Sequence, residues 1–122
     1  MTDKWQAINS FWNSFGIPAY DENSVPDDAT FPYITYEAVT ANFEQPVTLV
    51  ASIWYRQTKW SDISQKADEI ARYIGYGFKA IKLDDGYLVL MQGSPFAQRL
   101  SDDDDSIKHI YIMINAEFCT EV

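Results

Sequence analysis

IKHIYIMINAEF, residues 107–118, alternates without a fault. Ile110, Ile112, Ile114, Ala116 and Phe118 share one parity, and His109, Tyr111, Met113, Asn115 and Glu117 the other. Successive side chains on a strand point to opposite faces, so this is a strand with one apolar face and one mixed face. An apolar strand face has to be covered, and the rest of the chain is read for what covers it.

Immediately upstream, GSPFAQRLSDDDDS, residues 93–106, reads as a long polar loop. Loops of that length are functional or disordered, and Pro95, Phe96 and Leu100 argue for order. Structured loops on a rigid sheet carry contacts. Phe96, Arg99, Asp102, Asp103, Asp104 and Asp105 are therefore the candidate contact residues. Arg99 stands beside the acidic run and is expected to pair within the loop or across a subunit boundary. The four aspartates also invite a divalent cation, but adjacent residues point in different directions and the spaced ligands of a calcium loop are missing. A solvated acidic loop or a functional negative surface is the better reading.

Before the loop, Lys79–Leu83 and Tyr87–Gln92 read as a hairpin with Asp85-Gly86 at a tight primed turn. Residues 61–74 make the clearest helix, capped by Ser61, with Ile63, Ala67, Ile70, Ala71 and Ile74 on one stripe. Trp60 is a packing residue at its start. Asp62–Lys66 and Asp68–Arg72 are acid-first pairs four apart, and Gly75 or Gly77 ends the helix. Residues 47–56, VTLVASIWYR, read as a strand with neither face plainly polar, which makes it central under helices or covered by another subunit. Residues 31–40 read as its partner strand across a turn at Ala41–Pro46, and residues 17–30 as a polar connection. Residues 3–15 form the first helix, with Trp5, Ile8, Phe11, Trp12 and Phe15 as its apolar side, Thr2 as cap, and Gly16 and Pro18 as stop.

The order is helix, two strands, helix, three strands. The expected fold is α+β: a mostly antiparallel sheet of about five strands with two helices on one face, in a single domain spanning residues 1–122. Apolar residues make up 47% of the chain, enough for a core without metal or disulfide support. Aromatics reach 16%, which suits an aromatic-rich core or a subunit interface equally. The net charge of −9 disfavours binding to nucleic acid, where basic side chains neutralise phosphates. A single cysteine, Cys119, excludes an internal disulfide. The first residues show no secretory signal and no apolar run reaches membrane-helix length, so a soluble protein made inside the cell is expected. His109 is the only histidine and has no nucleophile on a recognisable elbow; both it and Cys119 read as structural. Gly75-Tyr76-Gly77 is too short for a dinucleotide fingerprint and follows a helix. The reading is of a non-enzyme without cofactor or metal.

Several segments together resemble a known family. FPYITYE at 31–37, ASIWYR at 51–56, WSDISQKADEIARYIG at 60–75, GSPFAQRL at 93–100, the Asp-rich stretch and IKHIYIMINAEF occur in the same order. The set is similar to the small tail-terminator, or tail-completion, proteins of long-tailed bacteriophages and prophages, sometimes labelled minor capsid proteins. The likeness runs from about Ile17 to Phe118. It implies a virion protein that forms a ring, usually a hexamer, capping the tail tube at the head–tail junction. Its implied partners are further copies of itself, the tail-tube protein and the head–tail connector, with DNA only as passing cargo and no membrane. The loop with Phe96, Arg99 and Asp102–Asp105 would then lie at a subunit contact or at the rim of the lumen. The alternatives are a head-completion or connector protein, and a small acidic-loop domain that binds a ligand or metal.

Overall fold

In the computed structural model the alternating stretch forms β6, Ile107–Thr120, one of the two central strands of a six-stranded sheet. The structure describes residues 4–37 and 46–120. The elements in chain order are α1 (Lys4–Trp12) with a 3-10 turn at Asn13–Phe15, β1 (Ala19–Asp21), β2 (Tyr33–Tyr36), β3 (Val47–Arg56), α2 (Ser61–Ile74), β4 (Lys79–Leu83), β5 (Gly86–Leu100) and β6. The sheet order is β1-β2-β3-β6-β5-β4, antiparallel throughout except for the β1–β2 pair. The α+β class is as the patterns require, with six strands where about five were expected.

β3 and β6 pair over their full common length, from Val47 opposite Ala116 to Arg56 opposite Ile107. That register puts Leu49, Ala51 and Ile53 beside Ile114, Ile112 and Ile110 on one face. Ile34, Leu88 and Leu90 extend the same apolar face across neighbouring strands. Both helices lie over it. α1 contributes Ala7, Ile8, Phe11 and Trp12, and α2 contributes Ile63, Ala67, Ile70 and Ile74, all in one buried cluster. Trp5 departs from the stripe assigned to it and is 44% exposed. Ala71 is only half-buried. The other parity, Trp54 and His109, Ser52 and Tyr111, Val50 and Met113, forms the second face. No helix among the described residues covers that face. The strand with two apolar faces is therefore central, with helices on one side only.

Five features differ from expectation for definite reasons. Residues 93–100 are not loop: β5 runs on to Leu100, and Ala97–Leu100 pair with Ile112 to His109. Gly93 and Pro95 suggested a break, and they do mark one, but as a bulge. Residues 93–96 stand opposite the single residue Met113, and Pro95, which has no N–H to donate, is tolerated there. Only residues 101–106 turn between β5 and β6. Residues 17–30 are not all connection. Ala19–Asp21 is an edge strand, and the Asn13 amide grips Ala19 on both sides, accepting its N–H at 2.9 Å and donating to its carbonyl at 3.2 Å. The hairpin turns at Asp84-Asp85 with Gly86 opposite Leu83. No non-glycine residue among those described has positive φ, which excludes a primed turn, and Gly86 takes the positive φ of 155° just after it.

Ser61 is the first residue of α2 and not its cap. Gln57 performs that service, accepting the Ile63 N–H at 3.2 Å and donating to Asp62 at 3.1 Å. Lys66 does not pair back to Asp62. It donates to the Phe15 carbonyl at 2.6 Å and to Glu69 at 3.0 Å, tying α2 to the end of the first helical segment. Gly75 ends α2 as expected, with φ of 79° and its N–H on the Ala71 carbonyl at 2.8 Å. β2 is described from Tyr33 to Tyr36; residues 38–45, the Thr2 cap and most of the Ala41–Pro46 turn fall outside the described residues.

Gly93 yields a sharp test of the bulge. A Cβ there would lie 2.6 Å from the Met113 backbone oxygen, closer than real contacts allow. Because the obstacle is backbone, Gly93→Ala should cost about 1–3 kcal/mol by overpacking. Chemical denaturation measures it, and a neutral substitution would mean the two strands do not approach so closely.

Candidate assembly surfaces

The acidic run sits where its chemistry demands. Four adjacent carboxylates cannot be desolvated without partners, and Asp102–Asp105 are all exposed in the β5–β6 turn. Two of them organise the turn itself. Asp102 accepts the Asp104 N–H at 3.0 Å, and Asp104 accepts the Ser106 N–H at 2.8 Å and its hydroxyl at 2.7 Å. Those bonds to Ser106, helped by Arg56 at 3.6 Å, hold the Asp104 carboxyl below its ordinary pKa. Lys108 donates to the Asp105 carbonyl. Among the described residues no group of three or more His, Cys, Asp or Glu is arranged to hold a metal ion.

The six candidate residues do not form one site. Arg99 shares the parity of Ile110 and so faces α2, where it donates to Ser64 at 3.1 Å and lies 4.9 Å over the Trp60 ring. The expected pairing with the aspartates is replaced by Arg56 on the opposite face. Phe96 is half-buried against the core from within the bulge. Arg99 is exposed but engaged on α2, whereas Asp102–Asp105 are exposed in the turn, apart from it.

A second surface was not singled out in the sequence. The uncovered sheet face carries Trp54 and His109 stacked at 3.9 Å with 17° between planes, directly opposite each other in the β3–β6 register. Beside them a hollow of about 400 Å³ is walled by Phe31, Tyr33 and Trp54, with Glu22 and Asp102 on its rim. Burial pushes the His109 pKa down, opposed by nearby Asp102, and its Nε2 meets no partner among the described residues. The sign follows directly. As pH falls through the ordinary value of 6.5, the unfolded chain gains a proton that the folded chain resists, so stability is lost on acidification. His109→Gln should shrink the drop in melting temperature between about pH 7.5 and about pH 5.5. An unchanged drop would show that His109 stays accessible to protons.

Close to Glu22, the carboxylates of Asp21 and Glu37 raise its pKa, though its own desolvation raises it more. Desolvation first, then Glu37 and Glu22, raises that of Tyr111. Negative potential therefore concentrates at the β1–β2 end of the sheet.

The third surface is the corner between α2 and β4. Tyr76 is fully exposed and Phe78 is 67% exposed. Glycines flank Tyr76, and a Cβ at either would meet nothing. Lys79 lies 5.0 Å over the Tyr73 ring and Lys82 5.4 Å over the Tyr87 ring. Cys119 is exposed near the end of β6. No helix is long and apolar enough to cross a membrane among the described residues.

No family model matches the chain, and no curated protein matches it. Among solved structures, the fold is similar to that of a chain in the "Virion of native gene transfer agent (GTA) particle", with a TM-score of 0.62 and 14% sequence identity. The match covers 91% of this chain and 83% of that one, so the chain shares its fold with a component of a virion particle.

Proposed function

We propose that this protein is a structural component of a virion and, within it, one subunit of a ring that ends the tail tube at the head–tail junction. The observation that carries the reading is the one-sided cover of the sheet. Both helices lie on one face, while the other presents Trp54, His109, Tyr111 and a carboxylate-rimmed aromatic hollow. Aromatic surface of this kind favours protein contacts. The resemblance of an ordered set of segments to tail-terminator proteins supports the role, and the likeness in fold to a virion chain supports a place in a virion. The reading assigns the chain no reaction and no cofactor. Its partners are further copies, the tail-tube protein and the head–tail connector, and DNA passes through without being held. The acidic turn Asp102–Asp105 lies at the rim of the channel or at a subunit contact.

Light scattering on a sizing column, with an image of the particle, tests this. The expected result is a closed oligomer, a hexamer by the family resemblance, that halts growth of tail tubes. A chain that stays monomeric and leaves tube growth unchanged would overturn it. Replacing Asp102–Asp105 together with Asn resolves the role of the turn. Rings that hold more DNA at low salt, with the excess fading as salt rises, indicate a channel rim; weakened rings indicate a subunit contact.

A further inference from the structure

The two ends of the sheet differ in charge and in shape. β1 is one edge and β4 the other of the six-stranded order. The β1–β2 end carries Asp21, Glu22 and Glu37 and opens onto the aromatic hollow. Neither Glu22 nor Glu37 has a salt-bridge partner among the described residues. The β4 end carries Lys79 beside the protruding Tyr76 and Phe78, and Arg72 on the last turn of α2 lines the same corner as Tyr76. Lys82, of the other parity, lies on the opposite face of the sheet with Tyr87. Exposing two large rings side by side on a small domain is costly unless something covers them. Unlike surfaces at opposite ends of one chain define a heterologous contact, and such a contact repeated around an axis closes into a ring.

We infer that this protein binds a second copy of itself head to tail, the Tyr76–Phe78 corner of one copy, with Arg72 and Lys79, docking on the acidic β1–β2 end and aromatic hollow of the next. This rests on the ring reading above and specifies its interface. The aromatic corner seats against Phe31, Tyr33 and Trp54, while Arg72 and Lys79 meet Glu22 and Glu37. The rings supply the apolar area, and the charges fix which end meets which. An isologous contact of either patch with its own copy would bring like charges together, which disfavours a symmetric dimer through that patch.

The test uses the full chain and two paired variants, all on exposed side chains. One is Tyr76→Ser with Phe78→Ser; the other is Glu22→Lys with Glu37→Lys. Melting temperatures check that each stays folded. Sedimentation of the wild type gives the closed oligomer, and each variant alone should lose it, with the subunit dissociation constant rising at least about tenfold. Mixing the two variants is the decisive arm. Each keeps one intact half of the contact, so the mixture should yield a dimer that neither forms alone. Arg72→Glu with Lys79→Glu, combined in one chain with Glu22→Lys and Glu37→Lys, should recover the oligomer that either charge pair loses separately. Rings that persist in both variants, or a mixture that stays monomeric, would overturn this interface while leaving the ring reading intact. A wild type that is monomeric at every concentration would overturn both, and the corner would then belong to a different partner.

Discussion

Ile112→Ala is expected to destabilise the fold by about 2–5 kcal/mol, in the upper part of that range. Ile112 is fully buried in the central strand β6. Its neighbours across the sheet on the same face are Ala51 on β3 and Ala97 on β5. Truncation would leave three alanines in a row across the sheet, with Ala97 at the exposed side. Losing three carbons from a buried site costs roughly 2.4 kcal/mol in transfer alone, at about 0.8 kcal/mol per carbon. The void adds to that because flanking residues as small as alanine cannot reach in to fill it. Met113→Ala, one position along and facing away from the helices, should cost less. Urea denaturation at constant slope separates the two. A loss below about 0.5 kcal/mol for Ile112→Ala would mean that the buried parity of β6 is the other one.

What made β6 legible is its length: five apolar positions at a period of two leave a single consistent face. α2 was legible for the same reason at the helical period, and its end at Gly75 followed from the glycine. β1 was not, because three residues are too few to show a period. Its place depends on the Asn13 amide, which pairs with Ala19 from the end of the first helical segment, beyond any strand period. The second half of β5 was hidden by Gly93 and Pro95, which signal a loop by composition but sit in a bulge that resumes as strand at Ala97. The hairpin turn fell one residue early, because Asp-Asp-Gly can place its glycine in the turn or just after it.

The contact surfaces divide along the same line. Exposure of Asp102–Asp105 follows from charge alone. The destination of Arg99 does not, since parity matters only once the segment is known to be a strand, and that parity turns it toward Ser64 and Trp60. Tyr76 and Phe78 were invisible as surface residues because an aromatic side chain reads by default as core. The only local hint was a pair of glycines holding Tyr76 between them, too flexible a setting for a packed ring.

Trp12→Ala should cost about 3–5 kcal/mol, and Trp12→Phe much less. Trp12 is fully buried at the end of α1, edge-on to Phe11 at 4.8 Å, in the cluster that joins both helices to the sheet. Truncation to alanine removes the largest side chain in that cluster and opens a void where α1 is held down. Phenylalanine retains most of the apolar surface. It also removes the indole N–H, which meets no acceptor among the described residues. An unpaired buried donor costs about 1–3 kcal/mol, so deleting it offsets part of the packing lost with the smaller ring. The comparison therefore separates shape from polarity at one position. Thermal and urea unfolding of both variants should give a phenylalanine chain near the wild type and an alanine chain far below it. A phenylalanine variant as unstable as the alanine one would mean that the indole N–H has a partner in solution and that the bond holds α1 on the sheet.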